Sequence, residues 1–542
     1  MSERRKKTNF IRQGGVRALF AWPVLLLFCL KMIYLASHNG MMGLQYYAMA
    51  GCFFFIFYAA LVYSVTPVMK KMVYFQVNKG SYRNAAKVYR SVSICMIAVA
   101  AVIALLLFGF SSRISLLLFG TKLCSLLLKL FAVSLVFYTG MACIRGYLEG
   151  MGNPMPGMTA EIIASLASLL VTVLLQSLCS DYGGKVADLI RVDSYDYAYS
   201  VSCGAAGCLA GSICGFLFLV LILAVFRNVL REREHADDTR MTEKRKDILR
   251  NFVSILLAKA PETLFAPVLL GTMMILYCHT PGRTEDGAGI LYAGLYLLSV
   301  PVILIARQLG QPFSRQLTVI LKRADYHHAR ERICVHVKVL LYMLCPYLIV
   351  LLCLAAGVSA LFFDTENVQL IHMIRFGVPA LLFAGFAVLF THIAEVVLGQ
   401  SVRNGMAVAA YLIGTGCFFL YGKASVSPEE SALFAIMAGW GAYFIVQAVL
   451  LFRKIRFLSE RFFSCLGFLT AAFGMSLVLI LFSVLLYGKM PNWIFMLLAV
   501  GIGYVCYNVV VVVLRLFEPY EWKMIPGVLF PVFLAKKLNR YS

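Results

Sequence analysis

The stretch LFAWPVLL, Leu19 to Leu26, nearly recurs as LFAPVLL, Leu264 to Leu270. One apolar match between two segments arises easily by chance, so the spacing of other matches decides what it means. Three pairs of residues lie 244 or 245 positions apart: Pro23 and Pro267, Pro67 and Pro312, and Tyr82 and Tyr326. These pairs come from an apolar run, from the end of a run and from a basic loop, and one spacing across all three predicts an internal duplication.

The composition places the duplicated segments in a lipid bilayer. Of the 542 residues, 61% are hydrophobic and only 14% are charged, and the mean hydropathy is +0.83. One soluble core does not hide so much apolar surface. Runs of about 20 apolar residues cross a bilayer as helices, because a helix satisfies its own backbone hydrogen bonds. The sequence holds about fourteen such runs, and we therefore predict an all-α, polytopic membrane protein.

The distribution of charge sets the expected orientation. The formal net charge is +23, and most Lys and Arg residues fall in the loops on the side of the N-terminus. The opposite loops are acidic and contain residues such as Asp181, Asp188 and Glu429. Cytoplasmic loops carry an excess of Lys and Arg, so we expect both termini in the cytoplasm and the basic loops near anionic lipid headgroups. The same placement argues against a nucleic-acid partner.

Each repeat contains six predicted spans, and an even number brings both repeats into the membrane from the same side. Parallel repeats of this kind are related by an axis along the membrane normal, with a site near the bilayer midplane. A long outer loop, 180 to 200, accounts for the shorter spacing of later matches. The linker mixes both signs of charge and lacks Gly and Pro, so we expect a solvated cytoplasmic helix or a flexible strap, with the role of a plain tether. The predicted domains are an N-terminal six-helix lobe (1–226), a cytoplasmic linker (227–250), a C-terminal six-helix lobe (251–453), an extra helix pair (454–516) and a cytoplasmic interfacial tail (517–542).

Ionisable side chains inside the predicted spans are the candidates for a functional site, because a charge in lipid costs about 2.5 to 3.5 kcal/mol on insertion scales. Several cations lining one cavity suit an anionic group such as phosphate. The candidates for substrate binding are Lys31, Arg145, Lys259, Arg307, Gln311 and Arg375. The acidic candidates for coupling to an ion are Glu161, Glu262 and Glu395. The residues also allow a simpler interpretation, in which Lys259 and Glu262 form a local pair and the cations near helix ends extend to the interfaces.

Proline inside the first span and inside its counterpart removes a backbone donor and bends the helix. Pro23, Pro261 and Pro267 are therefore the candidate hinges. The stretch AKAPETLFAP contains two of these prolines, and we expect an irregular turn there. The alternative is a static kink without a role in movement.

The sixteen cysteines are scattered singly, with no Cys-x-x-Cys and no histidine at ligand spacing, so no metal site is predicted. Cys179 and Cys203 flank the long outer loop, and the sequence leaves their pairing open. We also expect no enzyme, because the sequence contains no Asp-x-Asp, no His-x-x-x-x-Asp and no glycine-rich loop that would cradle a phosphate.

Three stretches carry a resemblance to a known family: RGYLEGMGNPMPGMTAEII, GAAGCLAGSICGFLFLVLIL from Gly204 to Leu223, and the basic loop NKGSYRNAAKVYR. Together they resemble the multidrug/oligosaccharidyl-lipid/polysaccharide (MOP) exporter superfamily, and within it the polysaccharide-exporter and stage V sporulation protein B branch, related to the lipid II flippase. The resemblance implies two six-helix lobes around a cavity that opens alternately to each side. It also implies that the last two spans form a groove for a lipid tail. The lipid II flippase carries arginines in its first two spans, whereas the second span here has no cation before Lys70.

The resemblance therefore predicts a flippase or exporter that moves a lipid-linked oligosaccharide or a cell-wall precursor across the bacterial cytoplasmic membrane. No cofactor is expected, apart from coupling to Na+ or H+. The expected partners are the lipid-linked saccharide and the membrane lipids. The alternatives are a MATE-type cation or drug antiporter and a non-transporting scaffold of the cell-wall machinery. The saccharide, the driving ion and the oligomeric state stay open.

Overall fold

The computed structural model describes residues 9–237, 243–364, 367–422, 427–456 and 466–522, together with residue 533, and their regular structure is helical. In the first half of the chain the helices are α1 (Asn9–Tyr58), α2 (Val65–Asn78), α3 (Tyr82–Gly109), α4 (Ser111–Phe119), α5 (Ser125–Gly150), α6 (Met155–Ile190), α7 (Ser194–Ser200), α8 (Ser202–Val225), α9 (Arg227–His235) and α10 (Arg245–His279). In the second half they are α11 (Gly287–Leu291), α12 (Leu298–Lys322), α13 (Tyr326–Cys353), α14 (Ala355–Phe363), α15 (Val368–Val397), α16 (Gln400–Gly422), α17 (Pro428–Ile455), α18 (Gly467–Leu486), α19 (Asn492–Val513) and α20 (Pro519–Trp522). Short π-helical segments join α1 to α2 (Ala59–Tyr63) and α11 to α12 (Tyr292–Leu297).

Thirteen helical segments of the described chain are long and apolar enough to cross a membrane, and the first of them crosses twice. That segment, Phe20–Asn78, is 59 residues long, and its helical geometry breaks at Gly40, where φ is 62° and ψ is −174°. In a straight helix Lys31 and Tyr47 would lie about 24 Å apart along the axis. The Lys31 ammonium instead lies 5.7 Å from the centre of the Tyr47 ring. The chain therefore turns back at Gly40, and the predicted all-α fold with about fourteen spans is confirmed.

The chain divides into two compact units. The N-terminal unit consists of Phe20–Gly289 and Gly422–Ala432. The C-terminal unit consists of Ile290–Tyr421 and Leu433–Ser542, with Met1–Leu19. Helix α10 and the first turn of α17 thus belong to the N-terminal unit. The domain boundaries that follow from the sequence stay a prediction.

The core of the N-terminal unit depends on glycines that let α8 approach α6. A Cβ atom at Gly207 would collide with the Thr172 hydroxyl and the Ser168 carbonyl oxygen, and one at Gly211 would collide with the Ala164 carbonyl oxygen. Small residues at such spacing allow helix backbones to come together in membranes, where the hydrophobic effect does not drive association. This packing explains Gly207 and Gly211 of the run GAAGCLAGSICG.

The segment 180–200, expected to be a loop, is mostly helical. Helix α6 continues to Ile190 and contains 36 residues, which makes it about 54 Å long, whereas the hydrocarbon core is about 30 Å thick. Gly183 does not break the helix, because it provides the space in which α7 packs: a Cβ there would lie 2.9 Å from the Asp196 carbonyl oxygen. The sequence expectation of a loop was wrong, since it counted only the length needed to cross lipid.

The linker is not a plain tether. Helix α9 and the residues on both sides of segment 238–242, which lies outside the described residues, bind the turn between α2 and α3. The Arg83 backbone N–H donates to Asp237 Oδ2 at 2.8 Å, and Gln76 Nε2 donates to Glu243 Oε1 at 2.8 Å. The Glu243 N–H donates to Asn84 Oδ1 at 3.1 Å. Helix α9 has no buried residue, as expected for a solvated helix, while Asp237 and Glu243 provide the docking contacts.

Helix α10 runs without interruption through both of its prolines, so the irregular turn expected in AKAPETLFAP is absent. Each proline removes one helical N–H, and the carbonyl four residues earlier loses its donor. Membrane helices tolerate such losses because side chains and neighbouring helices contribute other donors. In α10 these carbonyls are those of Leu257 and Thr263. The hinge role of Pro23, Pro261 and Pro267 stays a prediction.

In the C-terminal unit, α18 and α19 pack against each other and against α13. Tyr342 of α13 donates its hydroxyl to Asn508 Oδ1 of α19 at 2.6 Å. Lys338, one turn earlier, lies 3.4 Å from Glu521, and both side chains are buried. The chain after α19 therefore folds back onto α13 as far as Trp522. Of the predicted interfacial tail, residues 523–532 and 534–542 lie outside the described residues.

Candidate functional site

Two of the predicted site residues, Arg145 and Glu161, contact each other where α2, α5 and α6 meet. Arg145 Nη1 bonds Glu161 Oε1, and Arg145 Nε donates to Glu149 Oε1 at 2.9 Å. Lys70 Nζ donates to Glu149 Oε2 at 2.7 Å. Gly157 makes room for this network, because a Cβ there would lie 2.7 Å from the Arg145 side chain. Two cations face two carboxylates, so the network is neutral as a set and ties the three helix ends together.

Lys31 has a different environment, since no carboxylate contacts it in the described part of the chain. Its side chain is buried, with 3% of the residue surface exposed. The ammonium donates to Ser168 Oγ at 3.0 Å, to the Gly204 carbonyl at 2.9 Å and to Cys208 Sγ at 3.0 Å. These acceptors belong to α6 and α8. Lys31 therefore does not extend to an interface; it lies inside the N-terminal unit.

The polar contacts continue from Lys31 along α6 toward the turn at Gly40. Thr172 donates its hydroxyl to the Ser168 carbonyl at 2.7 Å. One turn further, Gln176 and Asn39 exchange two amide hydrogen bonds of 3.0 and 3.3 Å. We call this row of side chains the polar seam; it consists of Lys31, Asn39, Ser168, Thr172 and Gln176.

Cys179 and Cys203, whose pairing the sequence left open, are both free thiols. Cys203 Sγ donates to Gln176 Oε1 at 2.8 Å. The Ser202 hydroxyl donates to Cys179 Sγ at 3.8 Å. Within the described residues, no group of three or more His, Cys, Asp or Glu side chains is placed to hold a metal ion.

The other predicted site residues are divided between the two units. Lys259 and Glu262 are half-buried on α10 in the N-terminal unit. In the C-terminal unit, Arg307 is half-buried on α12, and the remaining three are exposed on α12 and α15: Gln311, Arg375 and Glu395.

Within the C-terminal unit, α12 and α15 approach closely at Gly310, where a Cβ would lie 2.9 Å from His392 Cγ. His392 Nδ1 lies 3.5 Å from Glu395 Oε2. On α12, Arg307 lies three residues before Gly310 and Gln311 lies one residue after it. Arg375 lies near the other end of α15, about 30 Å from Glu395 along the helix.

Sequence reasoning did not identify Gln447 and assigned Glu429 to an outer loop, whereas both side chains are buried in the structure. Gln447 on α17 is fully buried; its Nε2 donates to Thr391 Oγ1 at 2.9 Å, and its Oε1 has no hydrogen-bond partner among the described residues. Glu429 accepts at Oε1 from the Tyr277 hydroxyl at 2.9 Å and from the Thr284 hydroxyl at 2.8 Å.

The polar seam was also missed, although the sequence contains a signal for it. Ser168, Thr172 and Gln176 repeat at four-residue intervals inside an apolar run, and this spacing places three polar side chains on one face of a helix.

No protein-family model and no curated sequence matches the chain. Solved structures match it, and the following three each share 13% sequence identity with it. The lipid II flippase MurJ in an inward closed conformation matches with a TM-score of 0.66 over 92% of this chain and 98% of its own. An inward-facing multidrug resistance MATE transporter of the MOP superfamily matches with a TM-score of 0.64 over 80% of this chain and 94% of its own. An outward-facing MATE transporter matches with a TM-score of 0.58 over 82% and 96%.

The neighbours are transporters, and the matches cover nearly all of each neighbour. At this level of identity they establish the fold, and they agree with the family that the sequence motifs resemble. The chain therefore has the fold that MATE transporters of the MOP superfamily share with the lipid II flippase MurJ.

Proposed function

We propose that this chain is an alternating-access transporter of the bacterial cytoplasmic membrane whose substrate is a lipid-linked saccharide with a phosphate-bearing headgroup. No covalent bond forms or breaks in this reaction. The observation that carries the proposal is the extent of the match: the flippase covers 92% of this chain, whereas the two MATE transporters cover 80% and 82%. The MATE matches leave about a fifth of this chain uncovered.

The helix pair α18 and α19 supports a substrate with a lipid tail. Neither helix contains a charged residue. Large apolar side chains are exposed on both helices, among them Leu481 and Val484 of α18 and Leu497 of α19. A surface of this composition contacts acyl chains or an isoprenoid chain at no electrostatic cost. We propose it as the surface along which the tail of the substrate lies.

Cations inside the spans support an anionic headgroup. Lys259 lies about 21 Å from the first residue of α10, measured along the helix, and it is half-buried. Arg307 is half-buried on α12. An Arg side chain binds a phosphate through two parallel N–H donors, and a Lys side chain binds it as a point charge. We propose these two residues as headgroup ligands, and Lys31, Arg145, Gln311 and Arg375 as weaker candidates.

The test uses purified protein in lipid vesicles with a fluorescent lipid-linked saccharide, whose movement between leaflets is followed by adding a membrane-impermeant quencher. The double variant Lys259→Gln with Arg307→Gln should reduce the rate at least tenfold, because a charge-assisted hydrogen bond contributes about 1.5–3 kcal/mol. The matched control is Arg250→Gln with Lys322→Gln, which removes the same two charges from exposed positions on the same helices. Wild-type rates in the double variant would remove both residues from the site, and absence of movement in the wild type would reject the lipid-linked saccharide as substrate.

A MATE-type cation or drug antiporter is the second candidate, because its fold matches with a TM-score of 0.64. Such an antiporter needs a membrane acid that exchanges a proton or Na+ for the substrate, and Glu161, Glu262 and Glu395 are the candidates for ion coupling. Glu161 already pairs with Arg145. Efflux of a fluorescent organic cation from cells that produce the protein would favour this function. A non-transporting scaffold would instead tolerate loss of every charge named above.

A further inference from the structure

Three tyrosine rings contact one another where the end of α6 meets α7. The rings of Tyr182 on α6 and Tyr199 on α7 have centroids 5.4 Å apart and planes at 65°. The rings of Tyr195 and Tyr199 have centroids 6.3 Å apart and planes at 22°. We call these three residues the outer tyrosine cluster. Tyr182 is 58% exposed and the other two are half-buried, so the cluster presents ring surface to its surroundings.

The cluster lies past the part of α6 that crosses the hydrocarbon core. Glu161, in the charged network at the other end of α6, is about 32 Å from Tyr182 along the helix, and the hydrocarbon core is about 30 Å thick. Asp181, next to Tyr182, is exposed. Neither the last turns of α6 nor the whole of α7 is needed to cross the membrane, so the crossing does not account for the cluster.

A carboxylate and three hydroxyls border the rings. A Cβ at Gly183 would lie 2.9 Å from Asp196 Oδ1, which places this carboxylate against α6 beside Tyr182. Asp196 Oδ1 accepts from the Ser200 hydroxyl at 3.2 Å, and a carboxylate can accept several further bonds. Within the described residues, none of the three tyrosine hydroxyls has a hydrogen-bond partner. The cluster therefore combines ring faces with donors and acceptors that a ligand can use.

A sugar ring matches this combination. It presents C–H groups on its faces and hydroxyls around its edge. The face of an aromatic ring is negative and attracts the C–H groups, while the sugar hydroxyls donate to a carboxylate and accept from tyrosine hydroxyls. Segment 180–200 contains four aspartates against one lysine and one arginine, so it does not attract a phosphate or an anionic lipid headgroup.

The spacing of the rings argues against a cage for an organic cation. A caged cation lies between ring faces and keeps the rings apart. Here the centroid distances of 5.4 and 6.3 Å are those of rings in direct contact, which have centroids about 4.5–7 Å apart. The cluster thus offers an outer ring face for stacking, and no space between its rings.

We propose that the outer tyrosine cluster binds a neutral sugar ring, and that it receives the saccharide of the substrate on the side of the membrane opposite to the termini. The Tyr182 ring provides the stacking face, and the Asp196 carboxylate accepts a hydrogen bond from a sugar hydroxyl. The cluster contributes no cation, so it acts separately from Lys259 and Arg307, the proposed ligands of the phosphate. This inference rests on the proposed function and on the predicted orientation of the chain.

The experiment measures binding of soluble sugars to the purified full-length protein in detergent by saturation-transfer NMR, which detects sugar C–H protons in contact with the protein. The probes are chitotriose, maltotriose and mannotriose, which carry neither lipid nor phosphate, and choline as an organic cation. In the wild type we expect saturation of the ring protons of at least one of the three sugars. Tyr182→Leu removes the stacking face and should raise the Kd about three- to tenfold, the range that corresponds to one aromatic contact.

Three further variants separate stacking from other effects. Tyr182→Phe keeps the ring and should retain most of the affinity. Asp196→Asn keeps an oxygen that accepts from Ser200, so it should weaken sugar binding without lowering the melting temperature. Tyr74→Leu is the matched control, because Tyr74 on α2 is 55% exposed and lies outside the cluster; it should bind the sugar as the wild type does.

Two results would overturn the proposal. Absence of saturation for all three sugars, or equal saturation in the wild type and Tyr182→Leu, would show that these tyrosines only anchor the helices at the membrane interface, where Tyr is common. Binding of choline that depends on Tyr182, in place of the sugars, would assign the cluster to an organic cation.

The NMR measurement needs neither a lipid carrier nor movement across a membrane, so its failure is distinguishable from failure of the proposed function. Movement of the lipid-linked saccharide in vesicles without sugar binding at the cluster would reject the site and leave the function. Sugar binding that depends on Tyr182, without any movement in vesicles, would reject the function and leave the site.

Discussion

Glu429 shows how a single buried carboxylate is held without a cation among the partners of its hydrogen bonds. Only 6% of its surface is exposed, and one oxygen accepts bonds from Tyr277 and from both the hydroxyl and the backbone N–H of Thr284. Gly287 completes the arrangement, because a Cβ there would lie 2.5 Å from the carboxylate. The first turn of α17 is thereby joined to the segment that follows α10.

Removing the Glu429 side chain leaves these donors without a partner. We expect Glu429→Ala to lower the free energy of unfolding by about 1–3 kcal/mol, the cost of leaving a buried donor unpaired. Glu429→Gln keeps an acceptor oxygen and should cost less, and Tyr277→Phe, which removes one donor and leaves the others paired, should cost about 1 kcal/mol. Denaturation in detergent measures all three. An order in which Glu429→Gln is the most damaging would contradict this account and indicate that the charge itself is required.

In the N-terminal unit, the backbones of α6 and α8 lie close together, so the packing of these helices does not depend on side-chain contacts alone. We expect Gly211→Ala to lower stability by about 1–3 kcal/mol, because the added methyl group collides with the Ala164 carbonyl oxygen and overpacking has costs of this size. Gly416→Ala on α16 is the matched control, since a Cβ there meets no atom within 4 Å. Melting temperatures of the two variants provide the comparison. Equal effects would mean that loss of glycine, and not the close approach, determines the result.

The attachment of the chain after α19 to α13 depends on a buried ion pair. Replacing Lys338 by Met or Glu521 by Gln alone leaves one buried charge uncompensated, and we expect each change to cost about 3–5 kcal/mol. Combining Lys338→Met with Glu521→Gln removes both charges and should recover most of the loss. The double-mutant cycle is measured by denaturation in detergent. Additive losses in the double variant would show that the two side chains act independently.

The elements differ in how far the sequence predicts them. Hydropathy predicts the crossings, because bilayer thickness imposes a length that each span must reach by itself. It does not predict the last turns of α6 or the docking of the linker, since both depend on neighbours, such as α7 at Gly183 and Arg83 at Asp237. The surroundings of Lys31 are not predicted either, because they too depend on neighbouring helices. The first span is apolar on all sides, so periodicity does not distinguish the side that faces α6 and α8 from the side that faces lipid.

At the scale of the whole molecule, the sequence predicts the fold more completely than the site. The motifs RGYLEGMGNPMPG and GAAGCLAGSICG resemble those of the MOP family, and the fold agrees with that resemblance. The motif residues belong to helix packing and helix ends: Gly157 makes room for Arg145, and Gly211 for the α6 backbone. Motifs of this kind therefore indicate how the helices pack and where they end. The charged residues that would contact a substrate occur singly. An isolated residue in one sequence forms no motif from which its role could be predicted.

Orientation is a property of the whole chain, and it stays a prediction. The excess of Lys and Arg on one side predicts both termini in the cytoplasm. A protease site introduced between α6 and α7, at Val192, should be cut from outside in intact cells. An affinity tag at either terminus should be cut only in inverted vesicles. Cleavage of the tags in intact cells would reverse the assigned orientation.

The length of α6 has a mechanical consequence. From Ser168, which bonds the Lys31 ammonium, the helix continues to Ile190, a distance of about 33 Å along one stiff rod. A rod of that length acts as a lever, so a slight tilt at the depth of Ser168 becomes a displacement of several Å at its tip. Distances measured from a spin label near Ile190 would therefore detect a tilt of α6 in the membrane interior. The same tilt would be too small to detect at Ser168.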